Sequence, residues 1–124
     1  MGATPTRVLV VEDEAVLAMM IEDMLADAGY EVVGPAHRLD DAIAMARDGD
    51  FDIAVLDMNL GGRDSAPVAE VLRTRGIPFV YATGYGSKAG PGMADGSVMV
   101  SKPFTIEELG RAFAKVSPAS GPRG

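Results

Sequence analysis

Four short apolar runs constrain this chain more than any other feature: Val8-Leu9-Val10-Val11, Ile53-Ala54-Val55-Leu56, Phe79-Val80-Tyr81-Ala82 and Val98-Met99-Val100. Each is too short for a helix, is rich in β-branched or aromatic residues, and is apolar at consecutive positions. An extended strand of that kind carries apolar side chains on both faces, so it needs cover on both. Helix-like stretches separate the runs, and the alternation predicts a parallel sheet between two helical layers. Each run also ends on polar residues: Glu12-Asp13, then Asp57, then Thr83, then Lys102. In an open α/β sheet the carboxyl ends of the strands border the ligand crevice. Three carboxylates, a hydroxyl and an ammonium are therefore expected to meet at one site.

The bulk properties bound this reading. A chain of 124 residues supports one domain with one core. No cysteine is present, which excludes disulfides and thiolate metal sites. No apolar stretch approaches a membrane span, and Met1 to Thr6 contain no signal-like apolar segment. The net charge of −7 argues against nucleic acid as a direct ligand, because a phosphate backbone calls for a basic face. Composition thus points to a cytoplasmic protein with no membrane and no nucleic-acid partner.

The local pattern fills in the elements. Leu17, Met20, Ile21, Met24 and Ala28 give a first helix over Glu14 to Ala28, closed by Gly29. Glu31-Val32-Val33 reads as a short strand, and Leu39, Ala42, Ile43 and Ala46 as the stripe of a second helix that ends at Gly49. After Asp57, the residues Asn59, Gly61 and Gly62 signal a turn, and Pro67 suits the first turn of a third helix with Val68, Val71 and Leu72 inward. Thr105 with Glu108 forms the signature of a capping box for a last helix that runs to Val116. Residues 84 to 96 contain five glycines and Pro91, each glycine costing a helix interior about 1 kcal/mol and a proline about 3. The fourth helix is therefore expected to be short or mobile. The division predicted is a flexible N-terminus over 1–6, a single (βα)5 domain over 7–116 and a disordered tail over 117–124.

The strand-end residues suit phosphoryl chemistry. Glu12, Asp13 and Asp57 bring three negative charges together, and at ~4.5 Å with an effective dielectric near 20 each pair repels by roughly 4 kcal/mol. Oxygen donors in this number, without His or Cys, favour Mg²⁺. With the charge offset, Asp57 can attack phosphorus and form an aspartyl phosphate. Lys102 supplies a compact positive charge to phosphoryl oxygens, and Thr83 supplies a hydroxyl donor.

These residues together resemble the receiver domains of two-component response regulators, and the resemblance extends along essentially the whole chain. It rests on Glu12-Asp13, Asp57, Thr83 and Lys102-Pro103-Phe104. It implies a flavodoxin-like, doubly wound three-layer sandwich with strand order 2-1-3-4-5. It also implies Asp57 as phosphoacceptor, Asp13 and Asp57 as Mg²⁺ ligands, Glu12 acting through water and Asn59 through its main-chain carbonyl. Pro103 would supply the cis peptide bond that holds Lys102 in place. The phosphodonor would be a histidine kinase or a histidine phosphotransfer protein, and the output would be altered binding to another protein.

A narrower likeness is to single-domain receivers with a Phe-Ala-Thr-Gly-Tyr run, here Tyr81-Ala82-Thr83-Gly84-Tyr85. In such receivers the position of Tyr85 can border the path of hydrolytic water. Three departures stand out: Gly61 replaces a common proline, Gly84 a common alanine, and Met99 the usual switch aromatic.

Single residues admit plainer roles. Asp13 or Asp57 alone could be a turn former, and Thr83 alone a β-branched strand residue, but all the landmarks in order do not arise that way. His37 reads as a surface residue and Lys88 as a solvated side chain in a glycine-rich loop. Met19, Met20 and Met24 read mainly as core filler, with Val16 and Met19 outside the main stripe and available to a partner. Two other functions compete. An aspartyl-phosphate phosphatase would place a second acid two residues after the nucleophile, where this chain has Asn59. A non-phosphorylated scaffold would not need the full set of acids and lysine. A dinucleotide-binding fold lacks its glycine fingerprint after the first strand.

Overall fold

The computed structural model describes residues 5–84 and 98–116. Five parallel strands form the main sheet: β1 (Arg7–Val11), β2 (Glu31–Ala36), β3 (Ile53–Asp57), β6 (Phe79–Thr83) and β7 (Met99–Ser101). They lie in the order β2-β1-β3-β6-β7. Counted along the sheet strands alone this is the expected 2-1-3-4-5. Between β3 and β6, β4 (Asn59–Leu60) and β5 (Arg63–Asp64) form a small antiparallel hairpin. Four helices complete the described residues: α1 (Ala15–Asp27), α2 (Leu39–Asp48), α3 (Ala66–Arg75) and α4 (Ile106–Val116). No helix among them is long and apolar enough to cross a membrane.

The uninterrupted apolar runs are explained by two cores, one on each face of the sheet. Leu9, Val11, Ala54, Leu56 and Tyr81 point to one side, where they pack with Ala42 and Ala46 of α2 and Val68, Ala69 and Leu72 of α3. Val8, Val10, Ile53, Val55, Val80 and Ala82 point to the other, against Ile21 and Leu25 of α1 and Leu109, Ala112 and Phe113 of α4. Alternate residues thus serve opposite layers. All of β3 is buried, whereas the edge strands β2 and β7 are partly exposed. The capping box forms as expected: Glu108 N–H donates to Thr105 Oγ1 at 3.1 Å, and Thr105 N–H donates to Glu108 Oε1 at 2.9 Å.

Three expectations are corrected. The inner face of α1 is Ala18, Ile21 and Leu25, flanked by half-buried Leu17 and Met24; Met20 is exposed and Ala28 is the C-cap. Every residue from Val16 to Ile21 is apolar, so spacing alone left the rotation of the helix undetermined. Second, β2 continues past Val33 to Ala36 through Gly34 and Pro35. Gly34 has φ 93° and the register with β1 shifts there, and on an edge strand the missing proline N–H breaks no ladder. Third, of the residues expected to turn after Asp57, Gly61 and Gly62 do so, while Asn59 is a strand residue of β4. The expectations for residues 1–4, 85–97 and 117–124, which include most of the glycine-rich segment, Tyr85, Lys88 and the tail, lie outside the described residues.

Candidate functional site

The register of the central strands creates the site. Val11 of β1 is aligned with Leu56 of β3, so the next residues stand side by side, Glu12 just past β1 and Asp57 at the last position of β3. Both are buried, Glu12 to 1% exposure and Asp57 to 4%. Asp13 follows on the loop into α1 and is half-buried. One carboxylate oxygen from each of the three lies within 4.8 Å of the others.

Lys102 is the first residue beyond β7. Its N–H donates to the Thr83 carbonyl at 2.7 Å, which extends the β6–β7 ladder and directs the side chain inward. Its Nζ donates to Glu12 Oε1 and to Asp57 Oδ2, both at 3.2 Å. The Lys102–Pro103 bond is cis, as the family resemblance implied. Thr83 is buried and lies one residue beyond Ala82, the partner of Asp57 in register. Asn59 N–H donates to Asp57 Oδ1 at 3.3 Å, and the Asn59 side-chain oxygen accepts from Gly62 N–H at 2.8 Å. Glu12, Asp13, Asp57, Asn59, Thr83, Lys102 and Pro103 are therefore assembled at one end of the sheet; Tyr85 is outside the described residues.

Charge and burial compete here. At 3.2 Å and an effective dielectric near 20, Lys102 attracts each carboxylate by about 5 kcal/mol. That exceeds the roughly 3–4 kcal/mol of Glu12–Asp57 repulsion expected near 4.8 Å. Charge pairing alone would keep both acids ionised. Desolvation overturns this: burial, followed by the Asp57 charge, raises Glu12 from 4.5 to about 7. Burial also raises Asp57 above the usual carboxylate range, outweighing Lys102 and the Asn59 N–H. For Lys102, burial pulls the ammonium down, but Asp57 and Glu12 together override it and the group is raised. A pocket that penalises its own negative charge, and offers oxygen donors alone, fits a hard divalent cation.

Two contacts had no counterpart in the sequence reading. Gly61 N–H donates to Asp13 Oδ2 at 3.0 Å. His37 is exposed, as expected, yet its Nδ1 lies 2.9 Å from the Glu12 carbonyl, which requires the proton on Nδ1. Neither leaves a signal in sequence, since each depends on a main-chain group brought in by the fold.

Comparison with known proteins agrees with this geometry. A family model described as response regulator receiver domain matches residues 8–114. The solution structure of SdrG from Sphingomonas melonis Fr1 is 40% identical, with a TM-score of 0.80 over 93% of this chain and 98% of that one. The receiver domain of the sensor histidine kinase PA1611 from Pseudomonas aeruginosa PAO1, solved with a magnesium ion coordinated in the active site cleft, is 25% identical. It superposes with a TM-score of 0.74 over 91% of this chain and 98% of its own. The transcriptional regulatory protein PdtaR of Mycobacterium tuberculosis is 34% identical over 112 residues, 87% of this chain and 55% of PdtaR. The chain spans about half the length of the curated relatives it matches.

Proposed function

This chain belongs to the response regulator receiver domain family, and from that starting point we propose that it is a phosphorylation-dependent switch with Asp57 as the phosphoacceptor. The observation that carries the reading is a buried carboxylate at a central strand end, contacted by one lysine and flanked by two further acids. In the step, an Asp57 oxygen forms the new O–P bond as the N–P bond of a phosphohistidine breaks. The imidazole leaves with the bonding pair. Lys102, already hydrogen-bonded to Asp57, balances charge on the phosphoryl oxygens, and the Thr83 hydroxyl donates to one of them once the phosphate is in place.

Glu12, Asp13 and Asp57, with the Asn59 carbonyl, would hold Mg²⁺, which when bound neutralises the carboxylates and the incoming phosphoryl group. The PA1611 receiver, with magnesium in its cleft, supports that assignment. The donor is a histidine kinase or a histidine phosphotransfer protein. Val16, Met19 and Met20 are exposed on the turns of α1 that follow Asp13, and we assign the donor's docking to this apolar surface. The output is binding to another protein in the cytoplasm, with Thr83 reporting the phosphate. The chain catalyses no chemistry beyond its own phosphorylation and dephosphorylation.

The experiment is transfer from a small phosphoramidate donor to wild type and Asp57→Asn, each with Mg²⁺ or EDTA. The reading expects one alkali-labile phosphoryl group per wild-type chain with Mg²⁺, and none in the other three samples. Labelling of Asp57→Asn to the wild-type level would overturn it, and continued turnover of the donor would instead indicate a phosphatase.

A further inference from the structure

Asp13 differs from the other two acids in how it is held. Lys102 contacts Glu12 and Asp57, whereas among the described residues the hydrogen bond to the Asp13 carboxylate comes from Gly61 N–H at 3.0 Å. Gly61 sits at the tip of the β4–β5 hairpin, in which Asn59 pairs with Asp64 and Leu60 with Arg63. Its φ of 59° and the 88° of Gly62 are both in the left-handed region, as a two-residue hairpin turn demands. The hairpin is braced on the sheet side. Leu60 is buried in the core, Ser65 N–H donates to Met58 carbonyl, and Asp64 accepts from Ala66 N–H at the start of α3. The amide is thus fixed on one strand end, while Asp13 belongs to the loop leaving another.

We propose that Gly61 N–H is the positioning group for Asp13, fixing its carboxylate for a divalent cation and tying the β4–β5 hairpin to cation occupancy. This rests on the reading of the acidic cluster as a Mg²⁺ site. A carboxylate clamped through one oxygen has lost its rotational freedom before the cation arrives, so binding does not have to supply that entropy. Glycine suits the donor's position for two reasons. The turn geometry disfavours other residues, and a proline at position 61 would have no N–H to give.

The test removes the N–H without changing side chains. The Leu60–Gly61 peptide bond is replaced by an ester, which deletes the Gly61 donor. The Ser65–Ala66 bond is replaced likewise as a control, deleting the Ala66 donor to Asp64 that braces the same hairpin. Mg²⁺ affinity is measured by calorimetry, and the Gly61 and Gly62 amide protons are followed by NMR in the unmodified protein. We expect the Leu60–Gly61 ester to bind Mg²⁺ about tenfold or more weakly, the range for loss of a group that orients a metal ligand, and the control within about threefold of wild type. The Gly61 proton should shift on adding Mg²⁺ and in Asp13→Asn, with Gly62 little changed. Equal affinities for the two esters, or a Gly61 proton indifferent to Asp13→Asn, would overturn the inference. If Asp13→Ala abolishes Mg²⁺ binding in the same series, the cation site stands and the clamp alone is wrong. If Asp13→Ala binds as wild type does, both fail together.

Discussion

In the absence of metal, the stability of this protein should fall as pH rises from about 4.5 to 7, and Glu12→Gln should remove most of that fall. Glu12 ionises near its ordinary 4.5 in the unfolded chain and near 7 in the fold, because burial and the Asp57 charge oppose its ionisation. Between those values the folded state holds the extra proton, so stability declines with rising pH. The interval from 4.5 to about 7, at ~1.4 kcal/mol per pH unit, amounts to about 3 kcal/mol. Asp57 is raised by burial as well and adds to the decline in the same direction. Gln keeps the shape of Glu12 and its contact to Lys102 but cannot ionise, and it also removes a negative charge beside Asp57. Urea denaturation in EDTA at intervals from pH 4.5 to 8.5 measures both proteins. The gap between their unfolding free energies should widen in favour of the variant by about 2–3 kcal/mol across that range. Saturating Mg²⁺ should narrow it, since the cation favours ionised Glu12. Parallel curves in EDTA would refute the claim that the site is built at the expense of its own charge.

Lys102→Met leaves two buried acids without their cation, and the metal-free protein should lose about 3 kcal/mol at pH 8, with a smaller loss at pH 5 where the acids are protonated; denaturation curves at the two pH values check this. Arg75 Nη1 donates to the carbonyls of Ala46 and Gly49 at 2.7 and 3.0 Å, with its guanidinium 5.6 Å from the Phe51 ring centre. Arg75→Met should therefore cost about 1–2 kcal/mol by the same assay and leave phosphoryl uptake unchanged. Thr105→Ala removes half of the α4 capping box and should lower stability by about 1 kcal/mol, seen as a drop in thermal midpoint.

The parallel sheet and its ligand end were legible because their physical cause is written into consecutive residues. A strand between two helical layers is apolar along its length, and the polar residue at its carboxyl end, though buried, pairs with the polar ends of its neighbours rather than with a helix. The phase of α1 was not legible: six neighbouring apolar residues satisfy several stripes, and packing on the sheet takes Ile21 and Leu25 inward, with Ala18 buried and Met20 left exposed. The continuation of β2 was hidden because Gly34 and Pro35 read as strand breakers, a rule that relaxes at a sheet edge. Pockets were legible by residue type but not by linkage. The side chains of Glu12, Asp57 and Lys102 announced themselves, while the Gly61 amide that holds Asp13 is a main-chain group present at nearly every position of any sequence. The raised pKa values of Glu12 and Asp57 were likewise beyond sequence, since the sum of charges there points the other way until burial is counted.

The central claim is that the phosphoryl group resides on Asp57, and reductive trapping tests it most directly. Wild-type protein is charged with a phosphohistidine or small-molecule donor in Mg²⁺, treated with borohydride and digested, and the peptides that contain residues 12, 13 and 57 are sequenced by mass spectrometry. Reduction converts an aspartyl phosphate to homoserine. The account predicts homoserine at position 57, with none at position 13, no 5-hydroxynorvaline at position 12, and no reduced residue when EDTA replaces Mg²⁺. Homoserine at another acid, or stable phosphate on Thr83 or His37 with Asp57 intact, would contradict it.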